Sequence, residues 1–311
     1  MRITAAICTY DRYDLLDEAL RSVADQQVAP DAFEILVIDN SPSAEASAAE
    51  QVRHAGTANL RWVHEPVAGL SNARNLAVRL ARAPLIAFLD DDAVADTGWL
   101  DALARAFEVL GEGVGVVGGR VRPRWVASRP DWLSDDLLGY LSVVDLGAEL
   151  RPLRAGEWVA GANIAYRTEA LRQVGGFSLA LGRVGAGIAL MSNDEIELGD
   201  RLAAAGWATA YAPDAAVAHL VDPARATQAW FRRRIAWQAV SDFVRGPAAA
   251  QAGTPAAWDA LKHWFAHRHP VDRTVRALAM PQDGADDLRW QMSAIYNSVT
   301  CLLGAVEEPR E

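Results

Sequence analysis

Three short apolar runs, each stopping abruptly in polar side chains, constrain this chain more than any other feature. Ile3–Cys8 runs into Thr9-Tyr10-Asp11-Arg12, Phe33–Ile38 into Asp39-Asn40-Ser41-Pro42, and Pro84–Leu89 into Asp90-Asp91-Asp92. Each run is too short for a helix and apolar on both faces, which is the pattern of a strand buried in a sheet covered on both sides. Helical periodicity lies between them. Leu15, Leu16, Ala19, Leu20 and Val23 share one face, and Ser71 is placed to cap a helix turning Leu76, Ala77 and Leu80 inward. Strand and helix alternate, so the chain is read as α/β with a mixed central sheet between helical layers.

A second set of units follows. Val114–Gly118 and Trp158–Tyr166 read as strands, with a helix beginning near Thr168. Arg120–Gly156, rich in Trp, Pro, Gly and Asp, reads as a long loop region lining a cleft. Ser192-Asn193-Asp194-Glu195 opens a helix with Leu198 and Leu202 inward, and Trp207–Tyr211 and Ala215–His219 read as short strands. Beyond His219 the composition changes: Ala224–Val244 is an aromatic, basic helix, Gly246–Pro255 a linker, and Trp258–His267 and Asp286–Leu303 further helices. The division that follows is an α/β part, 1–222, and a helical extension, 223–311.

Composition narrows the function. The formal charge of -10 excludes general affinity for nucleic acid, which needs surplus Lys and Arg. Cys8 and Cys301 stand far apart, so neither a disulfide framework nor a zinc site is expected. The first apolar segment is too short for a signal peptide and no run reaches transmembrane length, which predicts a cytoplasmic protein. Trp230-Phe231-Arg232-Arg233-Arg234-Ile235-Ala236-Trp237 keeps contact with the cytoplasmic face of a membrane as an alternative to plain packing of that helix, and homo-oligomerisation is left open.

In open α/β sheets, ligands bind beyond the carboxyl ends of the strands. Asp90, Asp91 and Asp92 follow a strand and offer the oxygen ligands that Mg²⁺ or Mn²⁺ prefers; the competing reading is that they merely open the next loop. Asp39 and Asn40 suit a nucleobase edge or a plain Asx turn. Arg74 sits in the first turns of a helix, where a cation is electrostatically unfavoured, and so points to a ligand. Asp194 and Glu195 suit a helix N-terminus, but one carboxylate could also take a proton from an attacking hydroxyl. Gly182-Arg183-Val184-Gly185-Ala186-Gly187 before them resembles a closing loop. His219 is a structural histidine or a third metal ligand.

Together these residues resemble a family 2 glycosyltransferase of the GT-A fold, a Rossmann-like α/β/α sandwich, over about residues 1–235. The matching elements, in order, are Ile7–Arg12, Ile35–Asn40, Gly69–Asn75, Phe88–Asp92 (the DXD strand), Gly161–Arg167 with Val174–Phe177, Asp194–Leu198 with Arg201 and Leu202, and Tyr211–His219. The resemblance implies an inverting single displacement from a nucleotide-sugar donor, UDP or dTDP linked, to a sugar, lipid-linked or small-molecule hydroxyl acceptor. It divides the α/β part into a donor half, about 1–119, and an acceptor half, about 120–222. Thr9, Tyr10, Arg12, Asp39, Asn40, Arg74, Asp90 and Asp91 would hold the donor nucleotide. Asp92, Asp90 and His219 would hold Mn²⁺ or Mg²⁺, with Glu195 the base and Asp194 its competitor. Trp158, Gly161, Ala162, Asn163 and Arg183 would line the acceptor side. Two alternatives are weighed against this. A sugar-nucleotide pyrophosphorylase would want a glycine-rich phosphate loop, which Thr9–Asp14 lacks, and a non-catalytic sugar- or partner-binding module would not need the acids.

Overall fold

A computed structural model describes residues 1–185, 189–246, 255–266, 270–282 and 284–307. The chain opens with β1 (Ile3–Thr9), α1 (Tyr13–Ala24), β2 (Phe33–Asp39), α2 (Ala44–Arg53), β3 (Leu60–His64), α3 (Leu70–Leu80), β4 (Leu85–Asp90), β5 (Ala93–Ala95) and α4 (Trp99–Leu110). It continues through β6 (Val114–Trp125), a 3-10 turn at Asp135–Leu141, β7 (Arg151–Pro152), β8 (Asn163–Arg167), α5 (Thr168–Gln173), α6 (Asp194–Ala204) and β9 (Ala208–Val221). A short turn at Pro223–Arg225 leads into α7 (Gln228–Arg245), α8 (Pro255–Ala266), α9 (Pro270–Leu278) and α10 (Ala285–Glu307).

Among the described residues the strands form one mixed sheet in the order β3-β2-β1-β4-β8-β6-β9-β5, with β7 paired to β9. The first four strands are mutually parallel, and β8 runs antiparallel to β4 and β6. Residues 35–38 of β2 are fully buried, as the unbroken apolar run requires of a strand covered on both faces. From β1 the chain steps outward to β2 and β3, then returns past β1 to β4. Right-handed crossovers in opposite directions put α1 and α3 on opposite faces and open a crevice at the carboxyl ends of β1 and β4. Cys8 pairs with Asp90 in that register, so Thr9 and the aspartates emerge side by side.

Several local expectations are corrected. Ser71 does not cap α3; Gly69 does, with φ of 147° that favours glycine, while the Ser71 hydroxyl donates to the Leu181 carbonyl at 2.8 Å. The two strands expected at Trp207–Tyr211 and Ala215–His219 are one, because β6 shifts register between Gly119 and Val121 and so accommodates Pro213 and Asp214. The strand expected at 158–166 begins only at Asn163, and β6 runs on to Trp125. Helix α2, whose buried position is Ser47, and the half-buried edge strand β3 show no apolar stripe and were not anticipated; nor was α9. Residues 247–254 of the expected linker, His267, and Ala186 and Gly187 of the expected loop lie outside the described residues.

The C-terminal helices build a second hydrophobic cluster. Trp230, Phe231 and Ile235 of α7 pack against Leu133, Leu137 and Leu141 around the 3-10 turn and against Leu288, Met292 and Ile295 of α10. Trp132, Tyr140 and Trp230 meet the Phe231 ring edge-on, with centroids 5.4, 6.1 and 5.2 Å away. The aromatic helix is thus a packed element. Among the described residues no helix is long and apolar enough to cross a membrane.

Candidate active site

A cavity of about 830 Å³ opens at the switch between β1 and β4. It is walled by the ends of those strands, by the N-termini of α3 and α6, by Trp158, Gly161 and Ala162, and on the far side by Tyr140, Arg225 and Arg234.

On the strand side Arg12 and the three consecutive aspartates are all paired. The Thr9 hydroxyl donates to Asp91 Oδ2 at 2.8 Å. Arg12 bridges the next two acids, Nη1 to Asp91 Oδ1 at 2.8 Å and Nη2 to Asp92 Oδ2 at 2.6 Å. Burial, opposed by Arg12, pushes the Asp91 carboxyl up to about 7. Burial acts on Asp92 in the same sense, but the His219 imidazole and the Arg12 guanidinium outweigh it and hold that carboxyl well below the usual range.

His219 Nε2 lies 3.1 Å from Asp92 Oδ1. One ligand atom each from Asp90, Asp92 and His219 falls within 4.8 Å of the others. Asp92 Oδ1 and His219 Nδ1 are buried without a hydrogen-bond partner. Two carboxylates and one imidazole, with oxygen capacity to spare, fit a divalent cation. A second acid–histidine group, Asp17, Glu50 and His54, is already taken up by Arg53, which pairs with both acids.

Arg74 organises the other side. Its position in the first turns of α3 buries the guanidinium, where Nη1 donates to Asp194 Oδ2 at 2.5 Å and Nη2 reaches Asp90 Oδ1 at 3.4 Å and the Gly161 carbonyl at 3.3 Å. A Cβ at Gly161 would stand 2.9 Å from Arg74 Nη2, so the close approach requires glycine there. Asp194 is therefore committed to an ion pair. Glu195, next along the α6 N-terminus, faces the cavity, and burial together with the neighbouring Asp194 charge pushes it up to about 8.

The expected residues divide accordingly. Thr9, Tyr10, Arg12, Asn40, Arg74, Asp90, Asp91, Asp92, Trp158, Gly161, Ala162, Arg183, Asp194, Glu195 and His219 all line the cavity. Asn40 lines it while spending its amide elsewhere, donating to the Glu65 and Val67 carbonyls and accepting from Gly69 N. Two do not reach it. Asp39 is fully buried, its carboxylate accepting from the Ser41 hydroxyl at 2.5 Å and the Tyr13 hydroxyl at 3.1 Å, so it braces the loop after β2. Asn163, expected on the acceptor side, is a core bracket: its amide donates to the Arg120 and Ala215 carbonyls and accepts from the Trp99 indole. Sequence reasoning did not single out Asp136, Tyr140, Ser192, Arg225 or Gln238, which also line the cavity. Among the arginines of α7, Arg234 lines it too.

Comparison with known proteins points one way. Residues 4–174 match the family model described as Glycosyl transferase family 2. The chain is similar to the succinoglycan biosynthesis protein ExoM of Rhizobium meliloti, 30% identical over 75% of this chain and 72% of that protein. It is also similar to the glucosyl-dolichyl phosphate glucuronosyltransferase of Haloferax volcanii, 26% identical over 60% of this chain, a match spanning only 58% of that enzyme's length. Among solved structures, a mannosyltransferase from Pyrobaculum calidifontis in complex with GDP-Man and Mn²⁺ superposes with a TM-score of 0.62 at 22% identity, over 99% of this chain and 88% of that one. Residues 1–349 of S. aureus TarS in complex with UDP superpose at 0.54 and 15% identity, over 100% of this chain and 93% of that one. The structural likeness is one of fold.

Proposed function

This chain belongs to Glycosyl transferase family 2 and is a glycosyltransferase of GT-A fold, and from that premise we propose a metal-assisted, inverting transfer of a sugar from a UDP- or dTDP-linked donor to a hydroxyl acceptor. One observation carries the reading: Asp90, Asp92 and His219 share a single cavity with Asp194 and Glu195, far along the chain. In this reading 1–119 supplies the donor half and 120–222 the acceptor half, with 223–311 a helical extension that closes the cavity through Arg225 and Arg234.

Asp90, Asp92 and His219 are the residues that would hold the cation, and the nitrogen ligand favours Mn²⁺ over the strictly oxygen-seeking Mg²⁺. Bound there, such an ion neutralises charge on the departing diphosphate. Thr9 and Arg12 fix the aspartates in place. Glu195 takes the proton from the acceptor hydroxyl as its oxygen bonds to the anomeric carbon and the bond to the diphosphate oxygen breaks. Its raised affinity for protons suits that task near neutral pH. Arg74 keeps Asp194 oriented and unavailable in an ion pair, which favours Glu195 over Asp194 as base. The lipid-linked substrate of the archaeal relative and the GDP-Man, UDP and Mn²⁺ of the structural neighbours support nucleotide-sugar and lipid-linked substrates as classes.

A panel of nucleotide sugars assayed for donor hydrolysis, with and without Mn²⁺, tests the reading. Turnover of at least one donor that collapses on chelation is expected; binding without any turnover would favour a non-catalytic module. Glu195→Gln should keep donor affinity by calorimetry and lower kcat by about 10²–10⁴. Unchanged turnover would move the role to Asp194.

A further inference from the structure

The wall facing the carboxylates carries an electrostatic anomaly. Arg234 of α7 donates Nη2 to the Ser192 hydroxyl at 3.0 Å and lies over the Tyr140 ring at 5.9 Å, which puts its guanidinium at the N-terminus of α6, beside Glu195. Its Nη1 is buried with no acceptor. Arg225 packs over the Trp230 ring at 5.3 Å, and its Nε is likewise buried with no acceptor. Arg183 lines the same cavity. Among the described residues none of the three is ion-paired. Of the acids around them, Asp136 pairs with Arg289 at 3.0 Å, Asp242 accepts from Asn193 at 2.7 Å and Tyr296 at 2.9 Å, and Asp222 accepts from the Ala224 amide at 2.7 Å. Asp90 and Asp92, whose charges reach Arg225, pair with Arg74 and Arg12, and Glu195, whose charge reaches Arg234, makes no ion pair with it.

Arg225 and Arg234 are half-buried, each with one fully buried nitrogen, while Arg183 is exposed at the cavity mouth. Burial plus the Arg183 charge lowers both half-buried guanidiniums, Arg225 to about 10. Their contacts with Ser192, Tyr140 and Trp230 supply no counter-charge, and the helix that carries Arg234 is anchored by Trp230, Phe231 and Ile235. Arg12 and Arg74, by contrast, are each engaged by two acids. The partner these arginines lack is an anion.

We propose that Arg183, Arg225 and Arg234 form a subsite for a second oxyanion, a phosphate or carboxylate carried by the substrates in addition to the donor diphosphate. The subsite lies beside Glu195, where the proposed function needs the reacting hydroxyl, so this inference rests on that reading for the anion's place in the reaction. A phosphate would belong to the acceptor, next to the hydroxyl that is glycosylated; a carboxylate would belong to a uronic-acid unit.

The test is calorimetry on the full chain with Mn²⁺ and saturating UDP, titrated separately with phenyl phosphate and with glucuronate. At least one probe is expected to bind with nucleotide in place. Arg234→Gln and Arg225→Gln should each weaken it about tenfold or more, with Arg234→Lys falling between wild type and Gln because it keeps charge but not the fork. Preference for phenyl phosphate assigns the anion to a phosphorylated acceptor, and preference for glucuronate to a uronic acid. The proposal is overturned if neither probe binds, or if binding is the same in the Arg225→Gln/Arg234→Gln double variant. It is also overturned if UDP excludes the probe and the variants weaken UDP instead, since the arginines would then serve the diphosphate. If UDP itself does not bind, the donor reading fails, and the same probes titrated into metal-free, nucleotide-free chain still decide the subsite.

Discussion

Arg74 and Arg234 look into one cavity from opposite walls and live under opposite electrostatics. Arg74 projects from α3 into a cage of Asp194, Asp90 and the Gly161 carbonyl. Arg234 projects from α7 onto one serine hydroxyl and an aromatic ring, leaving a nitrogen with no partner. The first belongs to the sheet body, where strand ends and helix starts bring charges of both signs together. The second is delivered by a hydrophobic cluster that seats its helix but supplies no counter-charge. Breaking the paired charge leaves its buried partner stranded, whereas removing the unpaired one strands nothing.

Four measurements test that contrast. The largest effect is expected for Arg74→Gln, which strands the buried Asp194 carboxylate; breaking a buried pair in this way costs about 3–5 kcal/mol, read as a lowered denaturation midpoint. A loss under about 1 kcal/mol would erase the distinction. Next is Ile235→Ala, which removes part of the second cluster: a loss of about 2–4 kcal/mol is expected, together with weakened binding of the anionic probes while Mn²⁺ affinity stays near wild type. Equal loss of both would mean that the two walls are not separable.

The pH profile comes third. Glu195 is pushed up to about 8, so it is protonated at lower pH and becomes a competent base only as pH rises; kcat should climb with pH towards about 8 and then level off. Asp194→Asn removes a negative neighbour, stabilises the ionised glutamate and should move that rise to lower pH. A profile unmoved by the substitution would detach the two acids from each other. The smallest effect is Arg234→Gln on stability: removing an unpaired, half-buried cation should change unfolding free energy by less than about 1 kcal/mol, or raise it. A loss as large as that of Arg74→Gln would show Arg234 to be a structural ion.

Much of the strand side was legible because its signals are local. An apolar run that stops in polar residues marks both a strand and its exposed end, and the switch-point rule then brings Thr9 and Asp90–Asp92 together. Helix α6 was equally plain, its Leu198 and Leu202 fully buried behind two leading acids. The edge elements were not, because half-buried β3 and largely exposed α2 carry no periodic apolar stripe. Asp39 and Asn163 show a subtler limit. Their chemistry suits a ligand, but the residues that satisfy them, Tyr13 and Ser41 for one, Trp99, Arg120 and Ala215 for the other, can be named only once the chain is folded.

By itself, then, the order of residues determined the α/β layering, the family and most of the acids at the strand ends, because burial period and chain reversal are written within stretches of a few residues. Folding in three dimensions is what brings His219 to Asp92, pairs Arg74 with Asp194 rather than Glu195, and leaves Arg225 and Arg234 unpaired at the cavity wall. Those outcomes depend on which partners distant segments find, and a charge declares its role only when its neighbours in space are known.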